Sequence, residues 1–586
     1  MDNNNNMNSN SNRVKTGKTG YTYENHKSEK ILLMTLPFWS PLIPTQGIAS
    51  LKSFLQAYGY KVKAIDAAAE NSFMELYNKY FKALEEIVPP GHWGNFYNIG
   101  HDVLRNHMMA HTNYTDENEY KKLVKILIAK TYYCDADETQ VSGLNNILDE
   151  LFSRIKEFTL SRLKEEKPTV LGLSTNSGNL AATRFVFELT REKYPDIRTV
   201  MGGCVFFNHL AIGNPDLEFF LEKTKSYIDK IIIGKGEILF LKYLEGELPE
   251  SQRVFTQDAF DEDALSSYTF DIPDLSDYDL QKYLYLAATA SSSCPFQCSF
   301  CNSRTFFGKY RKKDPGQTVK EIMKLQKKYG HKLFFMTDAL LNPVITNLAN
   351  EIIKKELTVY MDGYFIVDKK AKDIENTLLW RRGGFYRARL GAESGSQKVL
   401  DLIGKNITPE LTKAVVSSLA HAGIKTTTYW VIGHPGETED DFLQTLDLIE
   451  KLKNDIWQAE CNPFTYFYVG QSNSEKWASK RALLYPGKAR DMLLSQTWVL
   501  NCEPSREETY SRVFRFVEHC NKLGIPNPYS FDEIYKADER WKKLHKNAVP
   551  SIMELMNDNI DFDERKKVKK LLTLQNKPLE EGDFCF

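Results

Sequence analysis

The sequence predicts an α/β chain: a doubly wound parallel-sheet domain with a helical insertion, then a partial (β/α)6 barrel and a helical C-terminal region. Strands alternate with helices in two separate series, over about 28–250 and 285–490. An acidic, proline-containing stretch at 251–284 links them, and a helical block at about 70–165 interrupts the first series. At 586 residues the chain exceeds one typical domain of roughly 100–200 residues. Residues 1–27 and 491–586 complete it as an N-terminal tail and a C-terminal helical region.

The first series opens with "KILLMTLPFW", a strand, then the loop "SPLIPTQG". In "IASLKSFLQAYGY", Ile48, Leu51, Leu55 and Tyr58 share one helical face. "KVKAIDAAAE" closes a βαβ unit. The insertion follows, rich in Lys, Glu and Tyr. "TVLGLSTNSGNLAATRFVFEL", "IRTVMGGCVFF" and "IDKIIIGKGEILFLKYLEGE" resume the alternation. Ligands of such sheets lie beyond the C-terminal strand ends. Those ends carry "SPLIPTQG", "STNSGN", "GGCVFFN" and "GKGE", whose small residues permit close backbone approach. The second series comprises the strands "YLYLAATA", "KLFFMTDA", "LTVYMDGYFIV", "YRARLGA", "KTTTYWVIG" and "WQAECNPFTYF". Functional residues of barrels gather at the C-terminal strand ends.

Basic and acidic residues nearly balance, 76 against 77, which offers no electrostatic case for nucleic acid or an anionic membrane surface. No apolar run approaches the roughly 18 residues of a membrane span. The polar start "MDNNNNMNSNSNRVKTGKTG" has no apolar signal segment and is expected to stay disordered. Nine cysteines, scattered outside one cluster, do not form a secreted disulfide framework, so a cytoplasmic setting is expected.

The cluster is "CPFQCSFC", with Cys294, Cys298 and Cys301 just after the first barrel strand. Structural zinc usually takes four ligands, and no second cysteine pair or nearby His pair supplies a fourth. An iron–sulfur cluster held by thiolates fits better, with one iron left without a protein ligand. "CPFQCSFC" resembles the radical S-adenosylmethionine superfamily. The resemblance implies a 4Fe-4S cluster on Cys294, Cys298 and Cys301, with S-adenosylmethionine chelating the remaining iron and cleaved on reduction to a 5′-deoxyadenosyl radical. It places Phe300 near the adenine and Glu393, in "RARLGAESGSQKVLDLIGKNIT", at the ribose hydroxyls, with Ser394, Gly395 and Ser396 in the adjoining turn. "WVIGHPGETEDDF" resembles the adenine loop, with Gly433, Pro435, Gly436 and Glu437 shaping it, while Thr438 and Asp441 read as a helix start. Asp338 would face the methionyl end.

The upstream domain resembles the cobalamin-binding subclass of these enzymes over roughly 30–66 and 168–480. Carried over, Ser174, Thr175, Gly202, Gly203, Gly234 and Gly236 would line the corrin and its tail, with Glu237 a helix N-terminal charge. No D-x-H-x-x-G stands in the sequence, so no histidine is offered to the lower cobalt face. The resemblance implies cobalamin-dependent methylation of an unactivated carbon, methylcobalamin being regenerated from a second S-adenosylmethionine. It also implies a small-molecule, peptide or carrier-bound substrate and an electron donor of flavodoxin or ferredoxin type. Three alternatives stay open: radical rearrangement, cyclisation or epimerisation without methyl transfer, an iron–sulfur electron-transfer or sensor protein, and a zinc-binding interaction protein. His101, His107 and His111 read as packing or substrate-facing side chains, and Arg311, Lys312 and Lys313 as a solvated turn or an anion-attracting one.

Overall fold

The computed structural model describes residues 28–38, 42–256, 271–527 and 531–545. The expected disordered tail, all of "DEDALSSYTF" in the linker, and residues 546–586 lie outside them.

The first sheet contains β1 (Lys30–Thr35), β2 (Lys61–Asp66), β3 (Val170–Ser174), β4 (Arg198–Gly202), β5 (Lys230–Ile233) and β6 (Val254–Thr256). It is parallel throughout, in the order β2-β1-β3-β4-β5-β6. Helices cover both faces, which explains why strands such as β1 are continuous apolar runs rather than alternating ones. The covering helices are α1 (Gln46–Ala57), α2 (Asn71–Ile87), α3 (Phe96–His111), α4 (Glu117–Tyr132), α5 (Glu138–Glu166), α6 (Leu180–Lys193), α7 (Pro215–Thr224) and α8 (Gly236–Leu244). Ile48 and Leu55 of α1 are buried against the sheet, with Leu51 and Tyr58 packed beside them. Helices α2–α5 form the insertion and share one apolar core with α6 and β4. Strand β6 extends the sheet past the boundary expected at residue 250, being too short for its pattern to show. The described part of the linker is docked rather than free: Lys52, 2 % exposed, is paired with Asp274 at 3.0 Å and Asp277 at 2.6 Å. A buried ammonium requires such partners, which accounts for the linker's acidity.

The second sheet is a six-stranded parallel one whose first and last strands do not pair with each other, hence a partial barrel. Its strands are β7 (Leu286–Ala288), β10 (Leu333–Met336), β11 (Tyr360–Ile366), β12 (Phe385–Glu393), β13 (Lys425–Ile432) and β14 (Gln458–Pro463), in sequence order. Between β7 and β10, the two-residue strands β8 (Ser291–Ser292) and β9 (Arg311–Lys312) pair antiparallel and bracket the cysteine loop. The barrel interior is polar. Arg389 reaches Asp362 with Nε and Nη2 at 2.9 and 2.8 Å, and Arg387 donates to Thr427 at 3.0 Å. The helix Phe531–Leu544 plugs the bottom, burying Ala537 and Trp541 against Tyr285, Tyr360, Tyr386 and Trp457. The outer edge of β14 is covered too: Ala459 N–H donates to the Pro526 carbonyl at 3.2 Å, and Asn95 of α3 donates to the Cys461 carbonyl at 2.6 Å. The region expected to be helical from residue 491 opens with a strand, β16 (Trp498–Leu500), which pairs antiparallel with β15 (Arg481–Leu483) ahead of the helix Arg506–Lys522.

Two expectations follow from these burials. Lys425 and Asp538, 1 % and 2 % exposed at the side chain, pair at 2.6 Å, and Trp457 Nε1 also donates to Asp538. Asp538→Ala leaves a buried ammonium unpaired and lowers unfolding free energy by about 3–5 kcal/mol, whereas Lys425→Met with Asp538→Leu recovers much of it in urea titrations. His107 is fully buried among Tyr80, Tyr120 and Asn145 at 2.8, 2.8 and 2.9 Å. Burial holds it neutral, its pKa pushed down to about 3. The unfolded imidazole, near pKa 6.5, takes up its proton first as pH falls. Its contribution is intact above about pH 6.5 and is lost progressively below that, down to about pH 3. The urea midpoint should therefore drop between pH 7 and pH 5, and His107→Gln should flatten that dependence.

Candidate functional site

The cysteine loop is fastened at both ends. Before it, Asp338, 1 % exposed, accepts from Ala290 N–H at 3.0 Å and from Ser291 Oγ at 2.5 Å. The carboxylate expected to face the methionyl end thus fixes the strand that enters the loop. Ser293 has φ +66° and donates to the Gly308 carbonyl at 2.5 Å. Within the loop, Cys301 N–H donates to Cys298 O at 3.0 Å and Ser299 N–H to Ile403 O at 2.9 Å. Cys298 packs with Val399 and Ile403, with Phe300 and Cys301 alongside. Burial raises the Cys294 thiol and pushes Cys298 up to about 11, against the pull of Lys405. Each of these two thiols feels the charge of Cys301. Among the described residues, no three His, Cys, Asp or Glu side chains converge on one point as a single ion requires.

Glu393 ends β12 with φ +64°, where the pairing with β13 slips between Gly391 and Glu393. A non-glycine residue held there costs about 1–3 kcal/mol and marks a constrained position. The constraint is Lys405, 6 % exposed, whose Nζ donates to Glu393 Oε1 and lies 6.0 Å from the Phe300 ring centre. Burial alone would lower Lys405, but Glu393 and Cys298 raise it above the ordinary lysine value. Gly391 is required beside this pair, because a Cβ there would stand 2.4 Å from Glu393 Oε1 and 2.8 Å from Lys405 Nζ. In the turn after Glu393, Gly395 N–H donates to Thr445 Oγ1 at 2.9 Å, Ser394 Oγ lies 3.2 Å from the same oxygen, and Ser396 Oγ donates to Asp441 at 2.6 Å. These bonds fasten the turn that carries Glu393. Thr438 and Asp441 form the expected capping box of the helix Glu439–Lys451.

The loop after β13 is braced from behind. Gly433, at φ +79°, donates its N–H to Glu437 Oε2 at 2.8 Å, and a Cβ there would stand 2.2 Å from Thr509 Oγ1. Burial pushes Glu437 up to about 7, opposed by the Gly433 N–H and by Arg512 at 2.9 Å. His434 Nδ1 lies 3.1 Å from the Pro435 carbonyl, so that nitrogen carries the proton, and Nε2 accepts from Ser299 Oγ at 2.7 Å. Gln471 donates to the Phe300 carbonyl at 3.0 Å and to the Thr465 carbonyl at 2.8 Å. Lys405, Ser299, His434, Gln471 and Arg512 were not singled out from sequence. Lys405 and His434 lie within motifs quoted there, but Ser299 and His434 are 135 residues apart and no local pattern pairs them.

In the upstream domain, Ser174, Gly202, Gly203, Gly234 and Gly236 line one cleft of about 240 Å3 between α1 and α8. Thr175 sits behind it, 1 % exposed, its N–H donating to the Gly202 carbonyl at 2.8 Å. Gly203, at φ +116°, is needed by the chain itself, since a Cβ there would stand 2.3 Å from Thr175 O. Gly236 differs: a Cβ there would make only an ordinary contact with Ile232 Cγ2 at 4.0 Å, so the chain itself does not exclude a side chain. Glu237 lies in the first turn of α8. The loop after β4 touches the cysteine loop's exit, Phe207 stacking on Phe306 at 5.5 Å and Asn302 Nδ2 donating to Asn208 at 2.8 Å. His101 packs on Phe38 and Phe81, and His111 lies 2.8 Å from Tyr120 Oη, within the insertion. Arg311 and Lys312 are exposed on β9, and Lys313 pairs with Glu321 at 2.7 Å.

A thiol loop thus stands at the mouth of a parallel partial barrel, close enough to a strand-end carboxylate for Cys298 to feel the charge of Glu393. Residues 290–449 match the sequence model of the Radical SAM superfamily. A curated relative, the anaerobic magnesium-protoporphyrin IX monomethyl ester cyclase of Rubrivivax gelatinosus, is 26 % identical over 346 residues, 54 % of this chain and 59 % of that protein. The chain thus spans less than two thirds of that relative. The fold is similar to that of the radical S-adenosylmethionine methyltransferase TsrM from Kitasatospora setae, solved with tryptophan substrate and a SAM analog, at TM-score 0.56 and 12 % identity over 94 % of this chain and 100 % of that one. It is also similar to the cobalamin-dependent radical enzyme OxsB, solved with aqua-cobalamin and S-adenosylmethionine, at TM-score 0.50 and 15 % identity over 94 % of this chain and 73 % of that one. Among the described residues no helix is long and apolar enough to cross a membrane.

The Ser299–His434 bond yields a direct expectation. Ser299→Ala leaves a buried imidazole nitrogen without its donor and lowers stability by about 1–3 kcal/mol in urea titrations, whereas Ser299→Thr, which keeps the hydroxyl, loses less.

Proposed function

We propose that the chain is a cobalamin-dependent radical S-adenosylmethionine enzyme that methylates an unactivated carbon of a small molecule. The observation that supports this most strongly is adjacency. The cleft lined by Gly236 and the thiol loop belong to different domains that meet through Phe207, Asn208, Asn302 and Phe306. The cleft's lining is small or apolar apart from Lys235 and Glu237, and none of its described lining residues is a histidine that could reach the lower cobalt face. When bound, the reduced cluster would supply one electron to cleave S-adenosylmethionine, and the cobalamin would carry the methyl group.

The chain's own residues do the rest. Cys294, Cys298 and Cys301 hold the cluster, and since burial raises the first two thiols, loading it releases protons. Glu393, with Oε1 held by Lys405, retains acceptor capacity for ribose hydroxyls. Phe300 and the Gly433–Pro435 loop flank the adenine. Helix α3 and the helix Arg506–Lys522 cover the barrel's flank and limit water. The cyclase name of the Rubrivivax relative favours a second reading, ring closure without methyl transfer.

Anaerobic purification with added hydroxocobalamin decides between them. The expected outcome is retained iron, sulfide and cobalt, 5′-deoxyadenosine under reductant, and release of S-adenosylhomocysteine that depends on cobalamin. Cobalt that washes away counts against the cobalamin reading, and cobalamin-independent turnover favours ring closure. Cys298→Ala should lose the cluster and all cleavage of S-adenosylmethionine; full activity in that variant would sink the assignment.

A further inference from the structure

We infer that the exposed basic and apolar surface around the cysteine loop is the docking face for an acidic flavoprotein of flavodoxin type, which delivers the electron that the site consumes. This rests on the reaction proposed above and adds its partner.

Charge is the first argument. Between Leu280 and Lys313 the chain has no Asp or Glu, and five cations follow the third thiol within that stretch: Arg304, Lys309, Arg311, Lys312 and Lys313. The β8–β9 pairing sets Arg311 opposite Ser292 and Lys312 opposite Ser291, and Lys313 N–H donates to the Ala290 carbonyl at 2.9 Å. The basic strand is therefore pinned at the loop's entry, just ahead of Cys294. Arg304 stands at the exit, on the short helix Ser303–Phe307, and its Nη1 lies 3.4 Å from the Pro295 carbonyl inside the loop. Lys309, Arg311 and Lys312 are exposed. The acids that follow are occupied, since Asp314 caps the helix Pro315–Tyr329 and Glu321 pairs with Lys313. One sign of charge thus dominates here although the whole chain balances, and such a surface steers a partner of the other sign.

Apolar exposure is the second argument. Phe296, within the loop, is 38 % exposed, Phe307 at its exit 52 %, and Leu402 41 %. Leu402 adjoins Ile403, whose carbonyl accepts from Ser299 N–H inside the loop. A solvated turn accounts for lysines but not for phenylalanines left in water beside them. Aromatic and aliphatic side chains with a charged rim are the make-up of a protein interface.

Chemistry selects the partner. The proposed cleavage consumes one electron for each S-adenosylmethionine, and repeated turnover needs it from a separate carrier. In a flavin carrier the anionic hydroquinone is oxidised to the neutral semiquinone as the cluster is reduced by that one electron, and no proton or group moves between the proteins. A flavodoxin-type protein presents the apolar edge of its flavin among acidic side chains. That edge complements the exposed phenylalanines, and the acids complement the cations. A ferredoxin holds its cluster behind its own cysteine loop and offers no such edge.

The test is isothermal titration calorimetry of the anaerobically purified full-length protein with an oxidised, acidic bacterial flavodoxin, an acidic ferredoxin and basic cytochrome c serving as counter-probes. Flavodoxin is expected to bind, more tightly than ferredoxin, and cytochrome c not to bind. Salt at about 0.5 M should weaken flavodoxin about tenfold or more, and Lys309→Glu with Lys312→Glu should do the same at low salt. In that double variant, reduction of the cluster, followed by its visible absorbance, should slow with flavodoxin hydroquinone. It should not slow with reduced methyl viologen, a small cation that needs no docking face. An unchanged circular dichroism spectrum shows that a variant is folded; if the reversal is not, the milder Lys309→Gln with Lys312→Gln carries the test. No binding by flavodoxin, equal binding by wild type and folded variants, tighter binding by ferredoxin, binding by cytochrome c, or equal slowing with methyl viologen overturns the inference. Binding is read with oxidised flavodoxin and without turnover, so a wild type that binds it yet forms no 5′-deoxyadenosine counts against the reaction alone.

Discussion

The site depends on how one buried charge is accommodated. Lys405 is 6 % exposed beneath the cysteine loop, where an unpaired ammonium would be costly. Its partner Glu393 must come to it, and β12 bends to allow this through a left-handed residue and a slipped register. Gly391 is bare because the ion pair occupies the space of a side chain. The turn that follows is then tied by Ser394, Gly395 and Ser396 to the helix Glu439–Lys451, itself started by the Thr438–Asp441 capping box. One ion pair thus couples the thiol loop, the end of β12 and the start of the helix after β13.

The same loop is held from a second side. Ser299 and the Phe300 carbonyl are gripped by His434 and Gln471, from the loops after β13 and β14. His434 can accept only because its other nitrogen is committed to a carbonyl. These bonds tie the loop that would hold the cluster to the loop that would hold the adenine. The Ser299–His434 bond is buried, so its loss leaves a polar atom without a partner.

Less conspicuous parts of the chain position these parts. Polar barrel interiors require closure, and the helix Phe531–Leu544 closes the bottom with Asp538 against Lys425. Arg512, from a helix beyond the superfamily match, braces Glu437 and through it Gly433. Insertion helix α3 caps the edge of β14. The two domains are joined by Lys52 with its linker carboxylates and by the Phe207–Phe306 stack. Segments added around the common core therefore hold the site's strand ends and loops in place.

By itself the sequence determined the two alternating series, the insertion, the cysteine loop and the strand-end carboxylate. Those features are local: apolar runs, helical spacing and a motif of eight residues are written in neighbouring positions. The glycines at the strand ends were also legible, although Gly203 proved necessary to the chain's own backbone and Gly236 did not. Tertiary structure alone decided that Ser394 and Ser396 fasten a turn, that Asp338 anchors the loop's entry, and that β6, β15 and β16 are strands. It alone brought His434 to Ser299 and Arg512 to Glu437. Such pairs join groups far apart in the chain because burial demands a partner for each polar atom, and which partner arrives is settled by packing, not by spacing along the sequence.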